Sequence, residues 1–171
     1  MSDYGEFPET ASVRFRRVLP GPIERVFAYL TEPELRASWF CRGELESRVG
    51  GRITLHFRHS DFAPADEPVP PRHGHDEDPR MTAEVTRWEP PRAFAFAWDG
   101  AEVIFELEPA GKDVRLTLTH RKLATRANLV DVSAGWHSHL DVLERALRGE
   151  KPVTFWKRLD ELEREYAARV P

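Results

Sequence analysis

The sequence predicts an α+β fold in which a curved antiparallel β-sheet of about seven strands wraps around one long C-terminal helix. Two observations predict it. Short runs of alternating apolar and polar residues recur between Val13 and His120, as in strands with one buried face. A single apolar stripe at helical spacing follows them, formed by Val132, Trp136, Leu140, Leu143 and Leu147. A sheet that closes around such a helix leaves space for a pocket.

The first three elements follow from short patterns near the N-terminus. Val13, Phe15 and Leu19 alternate with arginines, which indicates a strand. Pro22 then begins a helix whose apolar positions follow the i, i+3, i+4, i+7 spacing: Ile23, Val26, Phe27 and Leu30. Pro33 begins a second short helix that carries Leu35 and Trp39 on one side. We therefore expect two short helices after strand 1.

The remaining strands are separated by recognisable turns. A strand pair is joined at Gly50-Gly51, and its second strand carries Ile53, Leu55 and Phe57 on one face. Residues 59–79 are rich in proline and lack periodicity, which predicts a long exposed loop. Four further strands follow, with turns at Pro90-Pro91, Asp99-Gly100 and Gly111-Lys112. The alternating apolar positions of these strands are Met81, Ala83, Val85, Phe94, Phe96, Trp98, Val103, Phe105, Leu107, Val114, Leu116 and Leu118, and His120 occupies the next position in the same alternation.

Two helices complete the chain. Asp131 or Ser133 can cap the long helix after a connection at about 122–131, and Gly149 can end it. A second amphipathic helix over about 153–169 has a strongly apolar side, formed by Phe155, Leu159, Leu162 and Tyr166. We expect this side to dock on the domain or to form a homodimer contact.

Length and charge limit the domain organisation and the partners. With 171 residues we expect one domain at 12–149, after a flexible N-terminus at 1–11 and before a helical extension at 150–171. A net charge of −4 at pH 7 argues against nucleic acid or a membrane surface as partner. The N-terminus lacks a basic start and an apolar core, and Cys41 has no second cysteine to pair with. These features predict a cytoplasmic protein in which Cys41 is a spectator.

Several segments in this order resemble a known family. They are PIERVFAYLTEPELRASWF from Pro22, VGGRITLHF from Val49, EPPRAFAFAW from Glu89, LTLTH from Leu116 and GWHSHLDVLERAL from Gly135. Together they resemble the START-like, Bet v 1-like (SRPBCC) superfamily, and within it the homologues of the activator of heat-shock-protein-90 ATPase. The resemblance implies a helix-grip fold with a cavity between sheet and helix. The loop at 59–79 and the tail after Gly149 depart from the usual pattern.

This topology directs a set of apolar, mostly aromatic side chains and two histidines toward the space between sheet and helix. They are the candidate ligand-binding residues: Trp39, Phe40, Phe57, Phe94, Phe96, Trp98, Phe105, His120, Trp136, His139, Leu140 and Leu143. The alternative is that these residues only fill the core. On a helical wheel His139 borders the apolar stripe, whereas His137 is expected to face solvent. His120 and His139 could bind a ligand carbonyl or hydroxyl, or act as acid and base.

Metal and cofactor sites are not expected. The loop carries residues that can ligate zinc-like ions, but their spacing matches no closed site, so a solvated loop is favoured: His59, Asp61, His73, His75, Asp76 and Asp78. No GxSxG, HExxH or phosphate-cradling motif is present, and no catalytic residue is assigned.

Three functions remain open at this point. The first is a START-like carrier or sensor that binds an apolar or aromatic small molecule without turning it over. The second is an enzyme of the cyclase, aromatase or hydrolase type that the resemblance implies, with His120 or His139 as acid or base. The third is a co-chaperone-like interaction module. It is not favoured, because the chain has no room for a second chaperone-binding domain.

Overall fold

The predicted α+β architecture is confirmed by a computed structural model, which describes residues 2–73 and 79–171. The strands are β1 Val13–Pro20, β2 Arg52–His56, β3 Arg80–Glu89, β4 Ala93–Trp98, β5 Ala101–Ala110 and β6 Asp113–Arg121. They form one six-stranded antiparallel sheet in the order β1-β6-β5-β4-β3-β2. Strands β2 to β6 are a meander, and β1 is added beside β6 because Val13 pairs with His120 and Pro20 with Asp113.

Four α-helices accompany the sheet. They are α1 Ile23–Thr31, α2 Pro33–Ala37, α3 Arg126–Leu147 and α4 Trp156–Arg169, with short 3₁₀ turns at His59–Asp61 and Pro71–His73. The main core lies between the sheet and α3, where Phe15, Phe105 and Leu140 are almost completely buried. No helix in the described part of the chain is both long and apolar enough to cross a bilayer.

The expected seventh strand is present only as isolated bridges. Arg42 pairs with His56 and Leu45 pairs with Ile53, on the outer edge of β2. Between them Gly43 has a φ of 118°, which interrupts the extended backbone. Glycine is required there, because a Cβ atom would lie 2.1 Å from the carbonyl oxygen of Thr54. The close approach of the two backbones thus replaces a regular strand with an irregular edge.

The start of α3 differs from the prediction, whereas its end agrees. Thr125 is the N-cap and its hydroxyl accepts a hydrogen bond from the Asn128 N–H at 3.1 Å, so the helix begins earlier than Asp131 or Ser133 would allow. The Ser133 hydroxyl instead donates to the Leu129 carbonyl oxygen, inside the helix. Gly149 follows the helix with a φ of 73°, and the last carbonyl groups are satisfied across it in a Schellman motif.

A buried arginine fixes the turn that follows α2. The guanidinium of Arg36 is 1% exposed and donates to the carbonyl oxygens of Thr31, Cys41 and Gly43. The Trp39 indole N–H donates to the Tyr29 carbonyl oxygen at 2.8 Å. These bonds hold the chain between α2 and the sheet edge in one conformation. They therefore determine the position of the next aromatic residue, Phe40.

The segment predicted to be a long exposed loop is partly buried. In its described part, residues 59–73 and 79, Phe62 is 1% exposed and packs against Phe155, with ring centroids 4.9 Å apart. An apolar ring this large gains stability from burial, and the rings of Phe155 and His139 cover it. Residues 74–78, which include three of the candidate metal ligands in the loop, lie outside the described residues.

Helix α4 docks on the domain. Its buried side includes Trp156, Leu159, Leu162 and Tyr166, and it packs along α3. Tyr166 also reaches the N-terminal residues, which sequence predicts to be flexible: its hydroxyl accepts a hydrogen bond from the Gly5 N–H at 2.8 Å. The N-terminal and C-terminal segments therefore contact each other on the outer side of α3.

Glu67 caps the N-terminus of α4 from the loop. Its carboxylate accepts hydrogen bonds from the Thr154 hydroxyl and from the backbone N–H groups of Phe155, at 2.7 Å, and Lys157, at 3.0 Å. Burial alone would raise the pKa of Glu67, but these hydrogen bonds together outweigh burial and hold the pKa below its usual value. The negative charge also complements the helix dipole at this end.

We expect Glu67→Ala to lower the free energy of unfolding by about 1–2 kcal/mol at pH 7, because it removes a helix cap. Since folding lowers the pKa of this carboxyl, its stabilising effect is present above about pH 4.3 and is lost as the pH falls further. Urea unfolding followed by circular dichroism at pH 7 and pH 3 measures both effects. Asp66→Ala, at an exposed neighbouring position, is the control and should change stability by less than about 0.5 kcal/mol. An equal loss in both variants would contradict the capping role.

Candidate functional site

A cavity of about 240 Å³ lies between the sheet and α3. Its wall is mostly aromatic and includes two histidines: the lining residues are Phe40, Phe57, Trp98, His120, Asp131, Val132, Gly135, Trp136 and His139. Concave, mainly apolar sites with a few polar groups are typical of small-molecule binding. The cavity is therefore the candidate functional site.

Five separate parts of the chain supply this wall, the fifth being α3. Phe40 follows α2, Phe57 follows β2, and Trp98 is the last residue of β4. The rings of Phe57 and Trp98 stack with centroids 5.8 Å apart, and Phe40 lies 4.8 Å from Trp136. His120 lies near the end of β6 and stacks on Trp98 at 5.8 Å. Mutual packing of these rings keeps the wall in place.

His120 lines the cavity and carries an unpaired N–H group. The Trp136 indole N–H donates to Nδ1 of His120 at 3.0 Å, so Nδ1 must be the unprotonated nitrogen. Burial lowers the pKa of His120 to about 4, and the neutral ring at pH 7 then carries its proton on Nε2. Nε2 is buried and has no hydrogen-bond partner among the described residues. A buried donor of this kind favours a ligand that brings an acceptor.

His139 carries its proton on the other ring nitrogen, Nδ1. Its Nδ1 lies 2.7 Å from the carbonyl oxygen of Trp39 and must donate, because a carbonyl can only accept. Burial lowers the pKa of His139 to about 4, although the bond to Trp39 opposes this shift. The neutral ring therefore offers Nε2 as an acceptor. Phe40, Phe62 and Phe155 surround the ring at centroid distances of 5.3, 4.9 and 5.0 Å.

The structure divides the predicted ligand-binding residues into two groups. Six line the cavity: Phe40, Phe57, Trp98, His120, Trp136 and His139. The others are buried in the core and do not line it: Trp39, Phe94, Phe96, Phe105, Leu140 and Leu143. Phe105 lies behind the wall, 5.8 Å from Trp136. The core residues support the cavity from behind, since the rings of the wall rest on them.

Three lining residues were not among the predicted site residues: Asp131, Val132 and Gly135. Val132 is part of the apolar stripe of α3, so periodicity could have found it. Gly135 is more informative, because a Cβ atom added there would have no heavy atom within 4 Å. Glycine inside a helix costs about 1 kcal/mol relative to alanine. A glycine in the GWHSH segment was thus a signal of open space beside the helix.

The prediction that His137 faces solvent is wrong. The side chain is 2% exposed, its Nδ1 lies 2.9 Å from the Tyr166 hydroxyl, and burial lowers its pKa to about 3. The helical wheel placed it correctly away from the apolar stripe, but α4 covers that face of α3. His137 therefore belongs to the contact between the two helices and does not line the cavity.

Other reactive side chains lie outside the cavity. Burial raises the pKa of Cys41 to about 12, which keeps the thiol protonated and unreactive. His73 lies with Asp160 and Glu163, with possible ligand atoms within 4.8 Å of one another. Arg72 forms ion pairs with both of these carboxylates and so places a cation where a metal ion would bind; we assign no metal there.

A second depression of about 200 Å³ adjoins the cavity. Trp98, His120 and Val132 line both spaces and stand between them. The outer side of this depression is more polar and includes Lys122 and Asn128. The two spaces therefore share a wall at these three residues.

Comparisons with known proteins agree with this fold. The family model described as activator of Hsp90 ATPase homolog 1-like protein matches residues 20–148. A solution structure of the protein encoded by gene BPP1335 of Bordetella parapertussis is 41% identical, with a TM-score of 0.83, and the alignment covers 98% of this chain and 91% of that one. No curated protein sequence matches the chain.

More distant structures share the fold alone. The crystal structure of CalU16 from Micromonospora echinospora is 24% identical, with a TM-score of 0.68, over 93% of this chain and 88% of that one. A conserved protein of unknown function, EF2215 from Enterococcus faecalis, is 19% identical with a TM-score of 0.66, over 94% and 86% of the two chains.

We expect long-range ¹H–¹⁵N correlation spectra at pH 7 to show His120 as the Nε2–H tautomer and His139 as the Nδ1–H tautomer. Both rings should stay neutral down to about pH 5, because burial lowers their pKa to about 4. Since folding favours the neutral rings, the protein should lose stability as the pH falls from about 6.5 towards 4. The urea-unfolded chain, in which every histidine titrates near 6.5, is the control. Titration of either ring near pH 6.5 in the folded protein would contradict this assignment.

Proposed function

The chain belongs to the activator of Hsp90 ATPase homolog 1-like family, within the START-like superfamily, and we propose that it binds a small apolar or aromatic molecule as a carrier or sensor, without turning it over. Because superfolds carry unrelated functions, the proposal depends on the site and not on the fold. The observation that carries it is the cavity beside α3, whose wall is mostly aromatic.

The size of the cavity supports a ligand of one or two rings. Its volume of about 240 Å³ exceeds the roughly 150 Å³ of an engineered apolar cavity that takes benzene. It is smaller than the range of about 300–1,000 Å³ that is common for drug-sized ligands.

Acid–base turnover is less favoured than binding. A general acid or base works best with a pKa near the working pH. Burial lowers the pKa of both His120 and His139 to about 4, so at pH 7 neither ring has a proton to give as imidazolium and both are weak bases. Cyclase, aromatase or hydrolase activity therefore remains an alternative that would need a different group.

Chaperone association ranks below ligand binding, because the argument for it rests on the family description. Native mass spectrometry of the purified protein tests the main proposal first. A retained compound that is released on denaturation would identify the ligand class directly. A bound compound that leaves chemically changed would instead favour the enzyme alternative.

We expect Gly135→Leu to abolish binding of naphthalene, because the new side chain extends into the open space beside α3. Gly135→Ala is the matched control: it should change affinity less than about threefold and stabilise the helix by up to about 1 kcal/mol. Saturation-transfer NMR and tryptophan fluorescence measure binding, and thermal unfolding measures stability. Equal naphthalene binding by the leucine variant would place the ligand elsewhere and overturn the proposal.

A further inference from the structure

The two histidines of the cavity have complementary hydrogen-bonding polarity, and this limits the chemistry of the ligand. We infer that the site takes a neutral aromatic carbonyl compound that also carries a hydroxyl group, its carbonyl oxygen accepting from His120 Nε2 and its hydroxyl donating to His139 Nε2. This inference rests on the proposed function, since it specifies the ligand of the same cavity.

The donor end is the better determined of the two. His120 is 4% exposed, and its Nε2 has no acceptor among the described residues. The hydrogen bond from Trp136 prevents the ring from moving its proton to Nδ1. A buried N–H without a partner is energetically costly, and a ligand acceptor would remove that cost. A carbonyl oxygen can supply that acceptor without bringing a charge into an aromatic wall.

The acceptor end follows from the backbone. The Trp39 carbonyl oxygen accepts the His139 Nδ1 proton, which leaves a lone pair on Nε2 of a ring that lines the cavity. The Trp39 carbonyl group is held in place beside His139, because it lies in the turn that the buried Arg36 fixes. Only a ligand donor, such as a hydroxyl or an N–H group, complements that lone pair.

The charges of the site favour a neutral ligand over a carboxylate. A carboxylate would satisfy His120, but it has no proton for His139. Asp131 lines the exposed side of the cavity and would repel an anion, while both rings stay uncharged at pH 7. A cation would find no carboxylate inside the aromatic wall, since Asp131 is exposed at its edge. A neutral molecule with one acceptor and one donor meets neither difficulty.

Asparagine substitutions test each end while keeping the internal hydrogen bonds. An asparagine side chain can reproduce the Nδ1 contact of histidine, but it has no atom at the Nε2 position. His120→Asn can therefore still accept from Trp136, and His139→Asn can still donate to the Trp39 carbonyl. His137→Asn is the matched control, because His137 contacts Tyr166 and does not line the cavity.

Three probes of similar size separate polarity from cavity volume: 4′-hydroxyacetophenone, acetophenone and the hydrocarbon 4-ethyltoluene. For each variant, calorimetry gives the affinity of each polar probe relative to the hydrocarbon. We expect this ratio for 4′-hydroxyacetophenone to fall about tenfold in His120→Asn and in His139→Asn, and to stay unchanged in His137→Asn. For acetophenone, which has no donor, only His120→Asn should lower the ratio.

A direct measurement on the unsubstituted protein covers the case in which a variant fails to fold. Binding of 4′-hydroxyacetophenone should shift the His120 Hε2 resonance downfield, whereas 4-ethyltoluene should not. If the hydrocarbon binds but neither the ratios nor this resonance respond to the polar probe, the inference is overturned and the cavity proposal stands. If no probe binds, including 4-ethyltoluene, the proposed function is overturned and this inference with it.

Discussion

The hydrogen bond from the Trp136 indole to His120 is the contact on which the site depends. It joins α3 to β6 at the point where helix and sheet enclose the cavity. The same bond decides which imidazole nitrogen carries the proton, because an indole N–H can only donate. One interaction thus ties the helix to the sheet and fixes which nitrogen of His120 carries the proton. A hydrogen bond buried among aromatic rings is also strengthened by its low-dielectric surroundings.

A second set of contacts holds the outer side of α3. Arg17 on β1 is 2% exposed and donates to Asp141 of α3 at 3.0 Å. Asp141 also lies 3.8 Å from Arg158 of α4, and His137 meets Tyr166 beside it. A buried charge is tolerated here because it is paired across three elements. The long helix is therefore fixed on both faces, by an aromatic wall toward the cavity and by a polar network under α4.

How much of the fold and the site the sequence could predict depends on whether each interaction is local or joins distant segments of the chain. The alternation from Val13 to His120 reports local burial of one strand face, and β1 to β6 follow it with few exceptions. His137 was misplaced because a wheel drawn for one helix contains no information about α4. Phe94 and Phe105 were predicted to line the cavity. The alternation along a strand shows which face of the sheet a side chain lies on, but not how deeply it is buried there. Whether a ring lines a space or fills it depends on contacts such as that between Phe105 and Trp136, which join distant segments.

One face of α3 supplies Asp131, Val132, Gly135, Trp136 and His139 to the cavity, at intervals of one helical turn. Trp136 and His139 also hold the fold, through hydrogen bonds to His120 and to the Trp39 carbonyl oxygen. Val132 and Gly135 make no side-chain hydrogen bond and are only half-buried. Substitutions at these two positions can therefore accumulate during evolution with a smaller penalty for folding, while each changes the shape presented to a ligand. Relatives that keep the same backbone can in this way diverge in selectivity, and the same two positions offer a compact target for redesign.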